Sequence, residues 1–304
     1  MNAVQVHNII KTYGKKKEVL ALDDISFDVP QGELFGIIGP DGAGKTSLFR
    51  ILTTLLLADS GTAIVDGYDV VKDYKSIRRR VGYMPGRFSL YPDLSVEENL
   101  NFFATIFNTT VKENYSLIKD IYSQIEPFKE RRAGKLSGGM KQKLALSCAL
   151  IHRPSVLFLD EPTTGVDAVS RKEFWEMLKG LKQQGITILV STPYMDEAGL
   201  CDRVGLMQGG KILSINSPAG IVSNFKKPLY AAKANNMLQL LDALKENEKV
   251  EDAYPFGEFH HVIIKEGFKN EPAEKILLQA VPGFEIKKIT ADIEDCFIDL
   301  MKIT

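Results

Sequence analysis

The sequence predicts an α/β fold: a largely parallel sheet flanked by helices, interrupted by a helical insertion and followed by a small α+β domain. Three observations carry this. Short apolar strands alternate with helical patterns over about the first 225 residues. One of those strands, Leu34–Ile38, runs directly into a glycine-rich loop that opens a helix. The texture then changes after Ser217-Pro218, beyond which no such loop recurs. A length of 304 residues, 44% hydrophobic and 25% charged, suits one large domain with a smaller companion.

In chain order, Val4–Ile10 and Ile25–Val29 read as strands, the second closed by Pro30-Gln31-Gly32. Leu34–Ile38 leads through the loop into a helix over Lys45–Leu56. Val156–Leu159 and Ile186–Val190 are unbroken apolar runs, as strands covered on both faces should be. Ahead of these two, about 86–150 has few strand signals and shows helical apolar spacing over Asp93–Asn101, Asn114–Phe128 and Gly139–Ile151. That stretch is the expected helical subdomain of a first domain spanning 1–225. The tail, 226–304, reads as strand (Leu229–Ala234), helix (Met237–Glu246), strands (Glu251–Phe256, His261–Lys265), helix (Pro272–Val281), strand (Phe284–Thr290) and helix (Asp292–Ile303). A βαββαβ order predicts a small ferredoxin-like domain.

Lys and Arg total 38 and Asp and Glu 39, a net charge of −1, which argues against a broad nucleic-acid footprint. No window approaches 18 consecutive apolar residues, and the first ten residues lack a basic then apolar leader. Cys148, Cys201 and Cys296 are scattered and form no CxxC pair, so they read as plain thiols of a reducing compartment. His7, His152 and the pair His260–His261 have no companions at metal-ligand spacing and read as structural or solvated. The run Lys15–Lys17 reads as a solvated turn.

The chemistry concentrates in three motifs. Gly39-Pro40-Asp41-Gly42-Ala43-Gly44-Lys45-Thr46 fits G-x-x-x-x-G-K-[ST] between a buried strand and a helix. Its glycines let backbone N–H groups turn inward on a polyphosphate, and the helix N-terminus adds partial positive charge. Lys45 is the expected partner of the β- and γ-phosphates, Thr46 a ligand of Mg²⁺, and Ser47 a contact to the α-phosphate. The strand Val156–Leu159 delivers Asp160 and Glu161 to the same crevice, Asp160 as a metal ligand and Glu161 to polarise the attacking water. Ser137-Gly138-Gly139, within Leu136–Lys143, opens a helix with free N–H groups and a serine hydroxyl. It reads either as a second anion site or as a plain helix cap.

Taken together, these residues resemble the nucleotide-binding subunit of an ATP-binding cassette (ABC) transporter, over about residues 4–220. Thr163-Thr164-Gly165-Val166-Asp167 and Ser191–Ala198 fall in register as well. The resemblance implies a P-loop NTPase cassette with a RecA-like parallel sheet, and ATP and Mg²⁺ as its ligands. It implies two cassettes paired head to tail, as a homodimer or a cassette heterodimer, with the signature of one facing the γ-phosphate held by the loop of the other. It maps adenine stacking onto Tyr13 and places Asp167 at the dimer seam, where helix capping is its other reading. An integral membrane permease would be a separate chain, docked on the helical insertion near Tyr83, Phe88, Tyr91 and Phe102–Phe103, residues that core packing would also explain. The chain would then be cytoplasmic, peripheral on the inner face of the membrane, and engaged in export, with no nucleic acid as partner.

Two positions depart from the family. Gly86 stands where a glutamine usually contacts Mg²⁺ and water, and Pro193 where a histidine usually bonds the γ-phosphate. Both lost groups act late, which predicts binding and pairing retained with slowed hydrolysis; Arg87 and Tyr194 are neighbours placed to compensate. Gly86 also reads as a hinge. The competing readings are a soluble non-transport ABC ATPase, disfavoured by the single phosphate loop, and a regulatory cassette of very slow turnover.

Overall fold

The computed structural model describes residues 1–14, 18–87, 89–268 and 283–302. The expected Lys15–Lys17 turn, Phe88 and the helix expected over Pro272–Val281 lie outside the described residues. In chain order the first part comprises β1 (Asn2–Tyr13), β2 (Val19–Pro30), β3 (Leu34–Ile38), α1 (Lys45–Leu52), β4 (Ser60–Val65), β5 (Tyr68–Asp69), α2 (Tyr74–Arg80) and β6 (Val81–Met84). The helical segment follows with α3 (Val96–Ile106), α4 (Val111–Tyr122) and α5 (Gly138–Leu150). The chain then returns through β7 (Val156–Asp160), α6 (Ala168–Gln183), β8 (Thr187–Thr192), β9 (Arg203–Gln208) and β10 (Lys211–Asn216).

These strands form two sheets. One has the order β10-β9-β3-β8-β7-β6, parallel from β9 to β6 with β10 as an antiparallel edge. Every residue of β3, β7 and β8 is buried, which their unbroken apolar runs require. The second sheet, β2-β1-β4-β5, is antiparallel. This corrects the expectation that Val4–Ile10 and Ile25–Val29 belong to the parallel sheet. In β2 the buried residues Leu22, Ile25, Phe27 and Val29 are interleaved with exposed Asp24, Ser26 and Asp28, the pattern of a sheet wet on one face.

Residues of both sheets share one core with α1, whose Leu48, Phe49, Ile51 and Leu52 are buried. Phe49 meets Phe158 of β7 edge-on at 5.7 Å, and Phe27 of β2 stacks on Phe35 of β3 at 5.4 Å. Helix α1 stops at Leu52 rather than Leu56. The Thr53 hydroxyl folds back onto the Phe49 carbonyl at 2.8 Å, and Thr54 takes a left-handed φ of 64°. The expected helix over Asn114–Phe128 likewise ends at Tyr122, with only a short 3₁₀ turn at Glu126–Phe128. Pro127 in that turn has no N–H to extend a helix.

Side-chain caps set the helical segment. Ser95 with Glu98 and Thr110 with Glu113 form reciprocal capping boxes, and Ser137 caps α5. Buried Asn99 ties the Tyr91–Ser95 loop to α3, accepting from the Tyr91 N–H at 3.0 Å and donating to the Tyr91 and Ser95 carbonyls. Asn114 donates to the Ile151 carbonyl at 2.7 Å and accepts from Arg153, pinning α4 to the end of α5. His152 stacks on Phe107 at 3.7 Å and sits 3.0 Å from the Val81 carbonyl oxygen. It is structural, as its isolation in sequence implied.

The chain divides at Pro218–Ala219, where its texture changes but ahead of the boundary expected at 225/226, so that α7 goes with the second unit. The second unit holds α7 (Pro218–Asn224, from Ala219 on), β11 (Leu229–Lys233), α8 (Met237–Glu246), β12 (Val250–Phe256), β13 (Phe259–Ile264), β14 (Glu285–Lys288) and α9 (Ile293–Met301). Its sheet order, β12-β13-β11-β14 with antiparallel neighbours, is that of a ferredoxin-like arrangement. Leu240 and Leu244 of α8 pack on this sheet. Asp295 of α9, fully buried, accepts from the Tyr254 hydroxyl at 2.7 Å and lies 2.6 Å from His261 Nδ1. His261 is thus a structural residue, stacked on Phe256 at 4.0 Å. All three cysteines are free and buried.

Burial lowers the pKa of His152 from 6.5 to about 4, with its bond to Val81 opposing the shift. Between pH 6.5 and 4 the unfolded chain takes up this proton and the folded chain does not, so stability is lost as pH falls through that window. The expected contribution is on the order of 2 kcal/mol. Urea unfolding at pH 7 and pH 5 should show a smaller acid loss in His152→Gln than in the unaltered chain.

Candidate nucleotide-binding site

The loop between β3 and α1 closes on itself. Gly39 N–H donates to the Thr192 carbonyl at 3.2 Å, fastening the loop to the end of β8, and Ala43 N–H donates to the Pro40 carbonyl. Two glycines are sterically required. A Cβ on Gly39 would overlap the Met207 carbonyl oxygen, and one on Gly44 would overlap that of Ala21, at a left-handed φ of 108°. Asp41 and Gly42 form the exposed tip.

Lys45, 3% exposed, points back into the loop. Its ammonium donates to the Gly39 carbonyl at 2.7 Å and the Pro40 carbonyl at 3.0 Å, and pairs with Glu161 Oε1 at 3.1 Å. One residue on, the Thr46 hydroxyl donates to Asp160 Oδ1 at 3.2 Å. The same oxygen accepts from the Ser191 hydroxyl at 2.6 Å. Glu161 has a left-handed φ of 50°, unusual for a residue with a side chain. Its N–H donates to Ser191 twice over, to the carbonyl at 3.0 Å and the hydroxyl at 3.1 Å. Ser191, which the sequence did not single out in this part, therefore holds both carboxylate residues.

Beside them lies a cavity of about 460 Å³ lined by Thr46, Arg50, Tyr83, Pro85, Gly86, Arg87, Asp160 and Glu161. Burial first, then the charge of Asp160, pushes the Tyr83 phenol up to about 12, with Arg50 pulling the other way. Gly86 has no left-handed φ. Its missing Cβ would lie 3.0 Å from the Asp160 carbonyl oxygen and 3.7 Å from Glu161 Cβ, so the chain passes hard against the strand end. Hydroxyl and carboxylate oxygens side by side suit a hard divalent cation such as Mg²⁺, which takes few protein ligands. Among the described residues no cluster of three or more His, Cys, Asp or Glu forms a self-sufficient metal cage.

Tyr13 stands half-exposed at the site's edge, its hydroxyl 3.1 Å from Ser47 Oγ and its ring beneath Lys11 at 5.8 Å. Ser137 accepts from the Met140 N–H at 3.4 Å, and Gly139 lies so close to α6 that a Cβ would meet Ser170 Oγ at 2.6 Å. Gly138 faces the Gly165 carbonyl, 3.5 Å from where its Cβ would be. Asp167 caps α6, and hydrogen bonds led by Ser170 hold its carboxyl below the usual range. Among the described residues, no hydrogen bond or ion pair joins the Ser137–Gly139 turn to the phosphate loop. At Pro193 the chain bends into Tyr194, whose ring carries the Arg171 guanidinium at 4.2 Å. Thr192 donates to buried Glu197 at 2.5 Å and accepts from the Tyr194 N–H.

A parallel strand, a phosphate loop and an acidic strand end converging in this way define a P-loop nucleotide-binding cassette. The chain belongs to the ABC transporter family, whose model matches residues 22–164. It is 37% identical over 224 residues to the Nod factor export ATP-binding protein I of Burkholderia lata, covering 73% of each chain. It is 38% identical over 286 residues to a probable multidrug ABC transporter ATP-binding protein, YbhF, of Escherichia coli, covering 92% of this chain and 49% of that one. The chain thus spans about half the length of that relative. The dimeric post-hydrolysis structure of the ATP-binding cassette MJ0796, bound to ADP and Pi, superposes with a TM-score of 0.64 at 25% identity, covering 70% of this chain and 98% of that one.

Gly39→Ala tests the loop's closure. Backbone cannot yield to the new methyl group as a flexible side chain would, so the change should cost about 2 kcal/mol or more and abolish nucleotide binding. Thermal unfolding with and without ATP measures both.

Proposed function

We propose that the chain is the ATP-hydrolysing motor subunit of an exporter, working against a separate membrane permease from the inner face of the membrane. Two cassettes, identical or not, would pair head to tail around two nucleotides. The observation that carries the reading is the convergence of the Lys45 ammonium, the Thr46 hydroxyl and the Asp160 and Glu161 carboxylates, with 3.1 Å between Lys45 and Glu161 and 3.2 Å between Thr46 and Asp160. Among the described residues no helix is long and apolar enough to cross a membrane, in keeping with a permease on another chain.

On this reading, Tyr13 stacks on the adenine, the N–H groups of Gly42 and of Gly44–Ser47 hold the phosphates, and the Lys45 ammonium leaves Glu161 for the terminal phosphates. Thr46 and Asp160 would hold Mg²⁺, which neutralises charge on the β- and γ-phosphate oxygens. Glu161 takes a proton from water as its oxygen attacks the γ-phosphorus, and the bond to the bridging oxygen breaks to leave ADP and phosphate. Ser137, Gly138 and Gly139 would reach the γ-phosphate of the opposite cassette through the α5 N-terminus, and Asp167 would align the seam. Gly86 and Pro193 offer neither a water-positioning amide nor a phosphate-bonding imidazole, so turnover is slow but not abolished. The same two residues favour a second reading, a regulatory cassette that barely hydrolyses. Turnover in the presence of the permease separates them.

Glu161→Gln should lower steady-state phosphate release by about a hundredfold or more. In saturating ATP and Mg²⁺ the same variant should sediment as a dimer. A monomer under those conditions would overturn the paired-cassette reading.

A further inference from the structure

The cavity beside the acidic strand end is lined by two cations, Arg50 and Arg87, and among the described residues only Arg50 is engaged. Arg50 is hydrogen-bonded to the Tyr83 hydroxyl. Lys45 is shared among two carbonyls and Glu161. Arg87 lines the same cavity as Thr46, Asp160 and Glu161, and among the described residues no hydrogen bond, ion pair or ring contact engages it. It follows directly on Gly86, whose close approach to the Asp160 carbonyl and Glu161 Cβ carries the chain past the reacting end of the site. A guanidinium is always charged, and its planar fork matches two phosphate oxygens at once.

We propose that Arg87 is a catalytic residue supplied from within the chain: its guanidinium contacts the terminal phosphate of bound nucleoside triphosphate, where Gly86 and Pro193 provide no side-chain donor. The proposal rests on the reading of the chain as an ATPase and adds to it the group that recognises the γ-phosphate. The bare glycine keeps the crossing close, and the next residue reaches over it with a positive charge. As charge spreads over the three equatorial oxygens of the transferring phosphoryl, a positioned arginine stabilises it. In other phosphoryl-transfer enzymes such an arginine contributes about 10³–10⁵ in rate. Nucleoside diphosphate lacks the group Arg87 meets, so its binding is indifferent to this residue.

The test uses the full chain and its Arg87→Ala and Arg87→Lys forms. Each is also combined with Glu161→Gln, so that ATP binding is read without turnover. Arg87 is exposed, and its replacement should leave the melting temperature unchanged. Arg87→Ala should weaken ATP binding about tenfold or more while ADP binding stays within about twofold, since a charge-assisted hydrogen bond is lost for ATP alone. It should reduce trapping of ADP with orthovanadate and Mg²⁺ at least as much, and Arg87→Lys should restore part of both. Equal weakening of ATP and ADP, or no change in either, would overturn the role of Arg87 alone. Failure of the unaltered chain to bind ATP would overturn the ATPase reading with it.

Discussion

A buried ammonium organises the nucleotide end of this molecule. Lys45 is 3% exposed, and a charge removed that far from water needs compensation from every side. Two loop carbonyls and one carboxylate provide it. The demand fixes the loop's curl, since both carbonyls belong to Gly39 and Pro40. It also draws Glu161 off the line of β7 into a left-handed turn, held there by Ser191. The parallel sheet makes this possible by ending β3, β7 and β8 at one edge, where Ile38 is in register with Thr192 and Asp160 with Ser191.

Much of this was legible in the sequence because its determinants are local. A phosphate loop needs its glycines, lysine and threonine in consecutive positions, and an acidic strand end is read from seven residues. Ser137 and Asp167 announce themselves as helix caps through spacing alone. The antiparallel placement of β1 and β2 was missed although their alternation was present, because two apolar runs near a parallel core were read as part of it. Strand β9 went unnoticed because it lies beyond the last chemical motif. At Gly86 the sequence does not show the close approach to the Asp160 carbonyl, because that contact depends on a residue some seventy positions away.

The tertiary pairings were the least accessible. The sequence brings Lys45 and Glu161 to one crevice but does not show their direct contact, and nothing in the spacing of Arg171 and Tyr194 forecasts that they meet. The same holds for the second unit, where the strand and helix order was readable but the buried Asp295 joining Tyr254 and His261 was not. The histidine pair reads from sequence as structural or solvated; both rings are buried, His261 against Asp295 and His260 against the Met237 carbonyl.

The Lys45–Glu161 contact has one more consequence. Lys45 can meet an anion only by giving up contacts it already holds, two loop carbonyls and the Glu161 carboxylate. A small inorganic anion drifting in would have to break an existing ion pair for a single new one, with little gain. A run of linked anionic groups, engaging several inward N–H groups at once, offsets the loss of the Lys45–Glu161 contact more fully than a single anion does.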